Sequence, residues 1–140
     1  MFKRLLLPIF ALSLFLVACE AEETEATPEG ENTEVTLLGV WNYRAYIDND
    51  GEELATDCER NQILEFLQDG TFRFTYYDDT SGACQMDQDA TGNWEYVSDT
   101  SIELDYGVDS YTASFSINGD LLTLTIDEGE GEYQERYQKL

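Results

Sequence analysis

Directly after Asp69-Gly70, the residues Phe72, Phe74 and Tyr76 alternate with Arg73 and Thr75. Period-two alternation puts apolar and polar side chains on opposite faces of a strand, and Asp-Gly between such runs supplies the backbone of a tight hairpin. The pattern recurs along the chain. Trp41, Tyr43, Ala45 and Ile47 alternate with Asn42, Arg44 and Tyr46, and Asp48-Asn49-Asp50-Gly51 closes that run as a turn. A run over 61–67 leads into Asp69-Gly70, and further strands read at 92–97, 101–106, 110–117, 121–126 and 132–138. Eight short strands, with no helical pattern beyond the N-terminal segment, predict an all-β antiparallel sandwich or barrel. Closure into a barrel would remove the edges that sequential hairpins otherwise leave unpaired.

The N-terminal segment has a different logic. Lys3 and Arg4 precede a run from 5 to 18 that is apolar apart from Pro8 and Ser13, which is the layout of a cleaved signal peptide. A membrane-spanning helix needs about 20 apolar residues, and the acids from Glu20 onward stop the run short of that. Leu16-Val17-Ala18-Cys19 resembles the lipobox of bacterial lipoproteins. That resemblance implies a lipid on Cys19 and cleavage just before it, the alternative being an ordinary secreted chain with a stray cysteine. Several acyl chains on one residue would anchor a protein stably where a single chain does so only marginally. Residues 20–36 hold few apolar side chains, no aromatic and many acids, the composition of a disordered tether. Such a tether spans about 20 to 25 Å, enough to hold a domain clear of lipid headgroups. The expected organisation is a lipoprotein signal peptide over 1–18, a lipidated cysteine with an acidic tether over 19–36, and a β-domain over 37–140. Acids directly after the cysteine also resemble a surface-export signal of Bacteroidetes-type lipoproteins, which implies the bacterial outer membrane or cell surface.

Cys58 and Cys84 remain as an even pair in an exported chain, where a disulfide is the default. Closing a loop of about 25 residues stabilises a fold by roughly 3 to 4 kcal/mol on the chain-entropy model. There is no histidine, and two cysteines alone do not make a structural zinc site. Thirty acidic residues against seven basic ones give a formal net charge of −23, and all the acids lie after Cys19. Such a field repels nucleic acid and anionic surfaces and favours cationic partners, although acid also serves simply to keep a surface protein solvated.

Several short motifs bring a known family into view. Leu37-Leu38-Gly39-Val40-Trp41, the hairpin Phe66-Leu67-Gln68-Asp69-Gly70-Thr71-Phe72, Gly92-Asn93-Trp94 and Leu122-Thr123-Leu124 occur in the order and spacing of small bacterial lipocalin-like domains. Over most of 37–140 the chain resembles that family. The resemblance implies a small up-and-down eight-stranded barrel with a non-catalytic binding role. In that barrel Trp41 plugs one end, Gly70 takes the positive φ of its hairpin, and a Cys58–Cys84 bond ties two long connections together.

An eight-stranded barrel is just wide enough to hold one small ligand or to be filled by its own side chains, and both readings stay open here. If a cup exists, its candidate lining is Trp41, Tyr43, Phe74, Tyr76, Trp94 and Tyr96, with Tyr106, Phe115 and Tyr133. Phe66, Phe72 and Tyr137 belong to the same aromatic set. The expected partners are the membrane through the lipid anchor and a small apolar or amphipathic ligand. The alternative partner is a cationic envelope protein, for instance a lytic enzyme that the domain inhibits.

The acidic clusters at Asp48–Glu53, Asp87–Asp89 and Asp127–Glu132 are candidates for calcium. In the first, Gly51 at the sixth loop position puts Tyr46 first and Asp57 twelfth, which is the wrong register, so no metal is expected. Catalytic motifs are also missing: there is no Gly-x-Ser-x-Gly elbow or Walker loop, and thirty acids make chance carboxylate pairs uninformative. Neither catalysis nor a cofactor is expected.

Overall fold

The computed structural model describes residues 36–140. The expected signal peptide, the lipidated Cys19 and the tether up to residue 35 lie outside the described residues. Nine strands follow in order: β1 Gly39–Asp48, β2 Gly51–Leu54, β3 Ile63–Phe66, β4 Thr71–Asp78, β5 Gln85–Ser98, β6 Ser101–Asp105, β7 Ser110–Asn118, β8 Leu121–Asp127 and β9 Glu132–Lys139. A single 3-10 turn, Glu59–Asn61, interrupts the connection before β3.

Antiparallel pairing runs in sequence from β3 to β9, and β9 returns to β1 through pairs such as Trp41↔Lys139 and Tyr43↔Tyr137. Eight strands therefore close an up-and-down barrel, as expected from the sequence. The ninth, β2, is an appendage: β1 pairs with β3 over Gly39–Asn42 and with β2 over Ala45–Asp48, so its outer edge is divided between two partners.

The Asp69-Gly70 hairpin shows why its motif has that composition. Gly70 has φ +83°, a conformation in which a side chain is strained, and Asp69 accepts hydrogen bonds from the Thr71 amide at 2.9 Å and the Thr71 hydroxyl at 2.6 Å. Those bonds hold the Asp69 carboxyl below its usual range. At Gly92 the requirement is space, because a Cβ there would collide with the Asp105 backbone carbonyl and stand 2.6 Å from the Phe72 ring. Phe72 fills the gap and meets Tyr106 edge-on at 4.9 Å.

Two departures from simple alternation set the interior. Opposite β9, β1 carries a bulge between Tyr43 and Ala45. One extra residue reverses the faces beyond it. Tyr46 pairs with Glu135 and shares the inner face with Trp41 and Tyr43, while Ala45 and Ile47, expected beside them, turn outward. The second departure is at β4, where Thr75 is buried and Tyr76 is 39% exposed, the reverse of what polarity suggests. The 55–62 connection packs against β1 and β4, where Ala45, Ala55, Cys58, Asn42, Gln62 and Thr75 are buried apart from the main core. The polar members are satisfied: Asn42 Nδ2 donates to the carbonyls of Arg60 and Gln62, and Thr75 Oγ1 accepts from the Ile63 amide at 3.0 Å.

Cys58 is bonded to Cys84, with Cα atoms 5.4 Å apart, and ties this connection to the one between β4 and β5. Strand β5 begins at Gln85, seven residues before the stretch read from the sequence, and its first part pairs with β4 alone. Gln85–Asp89 is exposed and lacks apolar alternation, so a two-stranded arm rises past the barrel rim.

Candidate ligand site at the tyrosine-lined end

The two ends of the barrel are built differently. At the lower end, which carries the β3–β4, β5–β6 and β7–β8 hairpins, Leu37 just before β1 and Trp41 within it are fully buried. The Trp41 indole donates to the Leu37 carbonyl at 2.7 Å, and the Lys139 ammonium lies 4.9 Å from the ring centroid. Phe66, Phe72, Ile102, Leu104, Leu122 and Leu124 belong to the same buried cluster. This part of the barrel is solid.

At the upper end the apolar core gives way to tyrosines. Tyr43 meets Tyr137 edge-on at 5.5 Å, Tyr46 stacks on Tyr133 at 5.3 Å, and Tyr106 stacks on Tyr111 at 5.9 Å with their hydroxyls 3.3 Å apart. Among them stands Glu135. The β8–β9 register sets it opposite Leu124, between Tyr133 and Tyr137, which face Ile126 and Leu122. Its carboxylate accepts a hydrogen bond from the Tyr137 hydroxyl at 2.7 Å.

Electrostatics follow from this placement. Burial pushes the Glu135 carboxyl above the usual carboxylate range, against the pull of the Tyr137 hydroxyl, and Glu128 adds to the rise. Burial first, and the charge of Glu135 second, raise the hydroxyls of Tyr43, Tyr133 and Tyr137 well above the ordinary tyrosine value. Tyr111 is raised chiefly by burial and by Tyr106. These hydroxyls stay protonated and act as hydrogen-bond donors.

Two cavities open at this end. One, of about 810 Å³, is lined by Gln88, Tyr106, Tyr111, Val108, Asp109 and Asp127 among others. The second, of about 330 Å³, lies over the Tyr46–Tyr133 pair and is lined by Asp48, Asp50, Glu130 and Glu132. Glu128 lines both and accepts a long hydrogen bond of 3.4 Å from the Tyr133 hydroxyl.

The structure divides the candidate lining into three groups. Tyr43, Tyr106 and Tyr133 stand together at the upper end. Trp41 is enclosed in the lower core, and Phe74 packs half-buried against it, with Tyr76 beyond at the rim. Trp94, Tyr96 and Phe115 make a separate row at the lower end, with ring centroids 5.2 and 6.0 Å apart and Tyr96 51% exposed. Tyr46, Tyr111 and Glu135 were not among the expected lining, although they stand at the same end as Tyr43; Tyr137, a member of the expected aromatic set, stands there too. For Glu135 a signal existed: in Tyr133-Gln134-Glu135-Arg136-Tyr137 the period of two sets a carboxylate on the tyrosine face, where an acid is rarely buried without a partner.

A family model for the lipocalin-like domain matches residues 37–112, from before β1 into β7. The chain belongs to the lipocalin-like domain family. No match to a curated protein was found. Beyond the matched segment, the remainder of β7 with β8 and β9 completes the lipocalin-like barrel, and Tyr133, Glu135 and Tyr137 come from this part. The family's fold is typically a binding fold.

Proposed function

We propose that this lipocalin-like domain is a non-catalytic binding module for a small apolar or amphipathic molecule, which it takes at the upper end of the barrel. In this reading it is held at a bacterial envelope surface by lipid on Cys19 and an acidic tether. The observation that carries the binding role is the change of lining from a solid apolar core to tyrosines beside a cavity. Amphipathic rings with satisfiable hydroxyls suit a site that takes apolar surface and orients one polar group. The lipobox and the acids that follow it support the anchor.

Native mass spectrometry after exposure to an envelope lipid extract tests the binding role. The expected result is a stoichiometric adduct lost on denaturation, and a clean unliganded mass under all conditions would overturn it. For the anchor, Cys19→Ala is expected to release the exported protein from membranes; persistent retention would remove the lipid from the account. The excess of acid also favours a second reading, docking of a cationic envelope protein. That binding would weaken steeply with ionic strength, whereas apolar capture would not.

A further inference from the structure

We propose that the tyrosine-lined end selects organic cations, namely amphiphiles that carry an ammonium or quaternary ammonium group, with Glu135 as the counter-charge and the surrounding rings as an aromatic cage. The inference rests on the binding role proposed above and names the ligand class for that same site.

Three observations converge on it. The first is a carboxylate placed where the barrel otherwise presents apolar groups. Glu135 shares the inner face with Leu122, Leu124 and Ile126 of the neighbouring strand, and a side chain like theirs would fill that place at no electrostatic cost. Among the described residues no cation pairs with it. The ion pairs are Arg60–Asp57, Arg73–Asp89 and Arg136–Glu52, while Lys139 lies over Trp41 at the other end. A partly buried carboxylate held by one tyrosine hydroxyl keeps acceptor capacity for an incoming donor or positive charge.

The second is the lining. Tyr43 and Tyr46 approach from β1, Tyr133 and Tyr137 flank the carboxylate on β9, and Tyr106 and Tyr111 come from the β6–β7 turn and from β7. Cations are attracted to the faces of such rings, most strongly where water is excluded. The third is the rim. The charged residues lining the two upper cavities are all acidic, with neither Lys nor Arg in either lining. An acidic mouth over a low-dielectric interior raises the local concentration of cations and repels fatty acids. An anion would meet Glu135 and the whole rim, and a neutral molecule would leave the carboxylate with the Tyr137 hydroxyl as its partner and no counter-charge.

Calorimetric titration of the whole chain with three soluble probes of equal chain length tests this: hexyltrimethylammonium, hexanol and hexanoate. The ammonium is expected to bind at least about tenfold more tightly than the alcohol, with hexanoate weakest. Glu135→Gln, which keeps the shape, is expected to erase the preference. In the unaltered protein, affinity for the ammonium should rise as pH increases through the titration of Glu135, whose neighbours are Glu128 and the six tyrosines named above. This series does not depend on the variant's folding. Equal binding of ammonium and alcohol, or a preference unchanged in Glu135→Gln, would overturn the cation assignment and leave the binding role standing. Calcium chloride that displaced the ammonium equally from both proteins would reduce the effect to counter-ions at the rim, and would also overturn it. If no probe bound but the envelope extract still gave an adduct, only the cation assignment would fail. If neither bound, both readings would fail together.

Discussion

The lower and upper halves of this barrel share the same eight strands and the same alternation, yet one half is packed and the other is a lined opening. Below, large apolar side chains meet across the interior and Gly92 makes room for Phe72. Above, the inward positions are tyrosines and one glutamate, whose polar atoms need hydrogen bonds or water. The contrast shows that one barrel can carry its stability and its recognition in different storeys. The upper storey is also supported from outside, where the Cys58–Cys84 bond ties the connection over β1 and β4 to the turn at the tip of the β4–β5 arm.

If the lower half is where stability resides, Trp41→Ala should have the largest effect. It removes a fully buried indole and is expected to cost about 3 to 5 kcal/mol in denaturant unfolding. A loss under about 1 kcal/mol would end the distinction between the halves. Replacing Cys58 and Cys84 together with Ser is expected to cost roughly 3 to 4 kcal/mol, with the exposed 78–89 arm becoming the first site of proteolysis. If limited digestion began elsewhere, the bond would not be the support of the upper storey. Gly92→Ala forces a methyl group against the Asp105 backbone carbonyl as well as the Phe72 ring, and thermal unfolding should register a loss of about 1 to 3 kcal/mol or more.

Glu135 sharpens the comparison through pH. Its folded-state pKa is raised by burial, so the folded chain holds the proton more tightly than the unfolded chain. Stability should therefore fall as pH rises from the ordinary carboxylate range through the raised value, and be fully retained below it. Glu135→Gln should flatten that part of the curve and gain stability at neutral pH; an unchanged curve would mean that the carboxyl is solvated. Smallest of all, Val108→Ser, at a position 90% exposed above the mouth, should change stability by no more than about 0.5 kcal/mol.

Much of the fold was legible because its signals are local. The Asp69-Gly70-Thr71 turn, the alternation in 121–126 and the Gly-x-Trp of 92–94 each act within a few residues, and each stands where expected. The first part of β5 was not legible, because Gln85–Asp89 forms a strand by backbone pairing with β4 alone and buries almost no side chain. Nor was β2, a short exposed strand that pairs along the far half of β1. The site was half legible. Tyr43, Tyr106 and Tyr133 were selected for their ring type, but the same criterion selected Trp41 and Tyr96, and ring type cannot say which storey a residue occupies.

What the sequence by itself determined is the set of strands and turns and the one available pair of cysteines outside the N-terminal segment, since these depend on period-two alternation, turn chemistry and counting. What only the tertiary structure decided is which residues share the inner space. The bulge between Tyr43 and Ala45 exists relative to β9, some ninety residues away, and it brings Tyr46 inward and sends Ala45 and Ile47 out. The closure of β9 on β1 likewise sets Glu135, between two tyrosines of its own strand, beside tyrosines of β1. The physical reason is that a strand's own pattern defines two faces, while the partner it pairs with, and any residue left over in that pairing, decides which face looks inward.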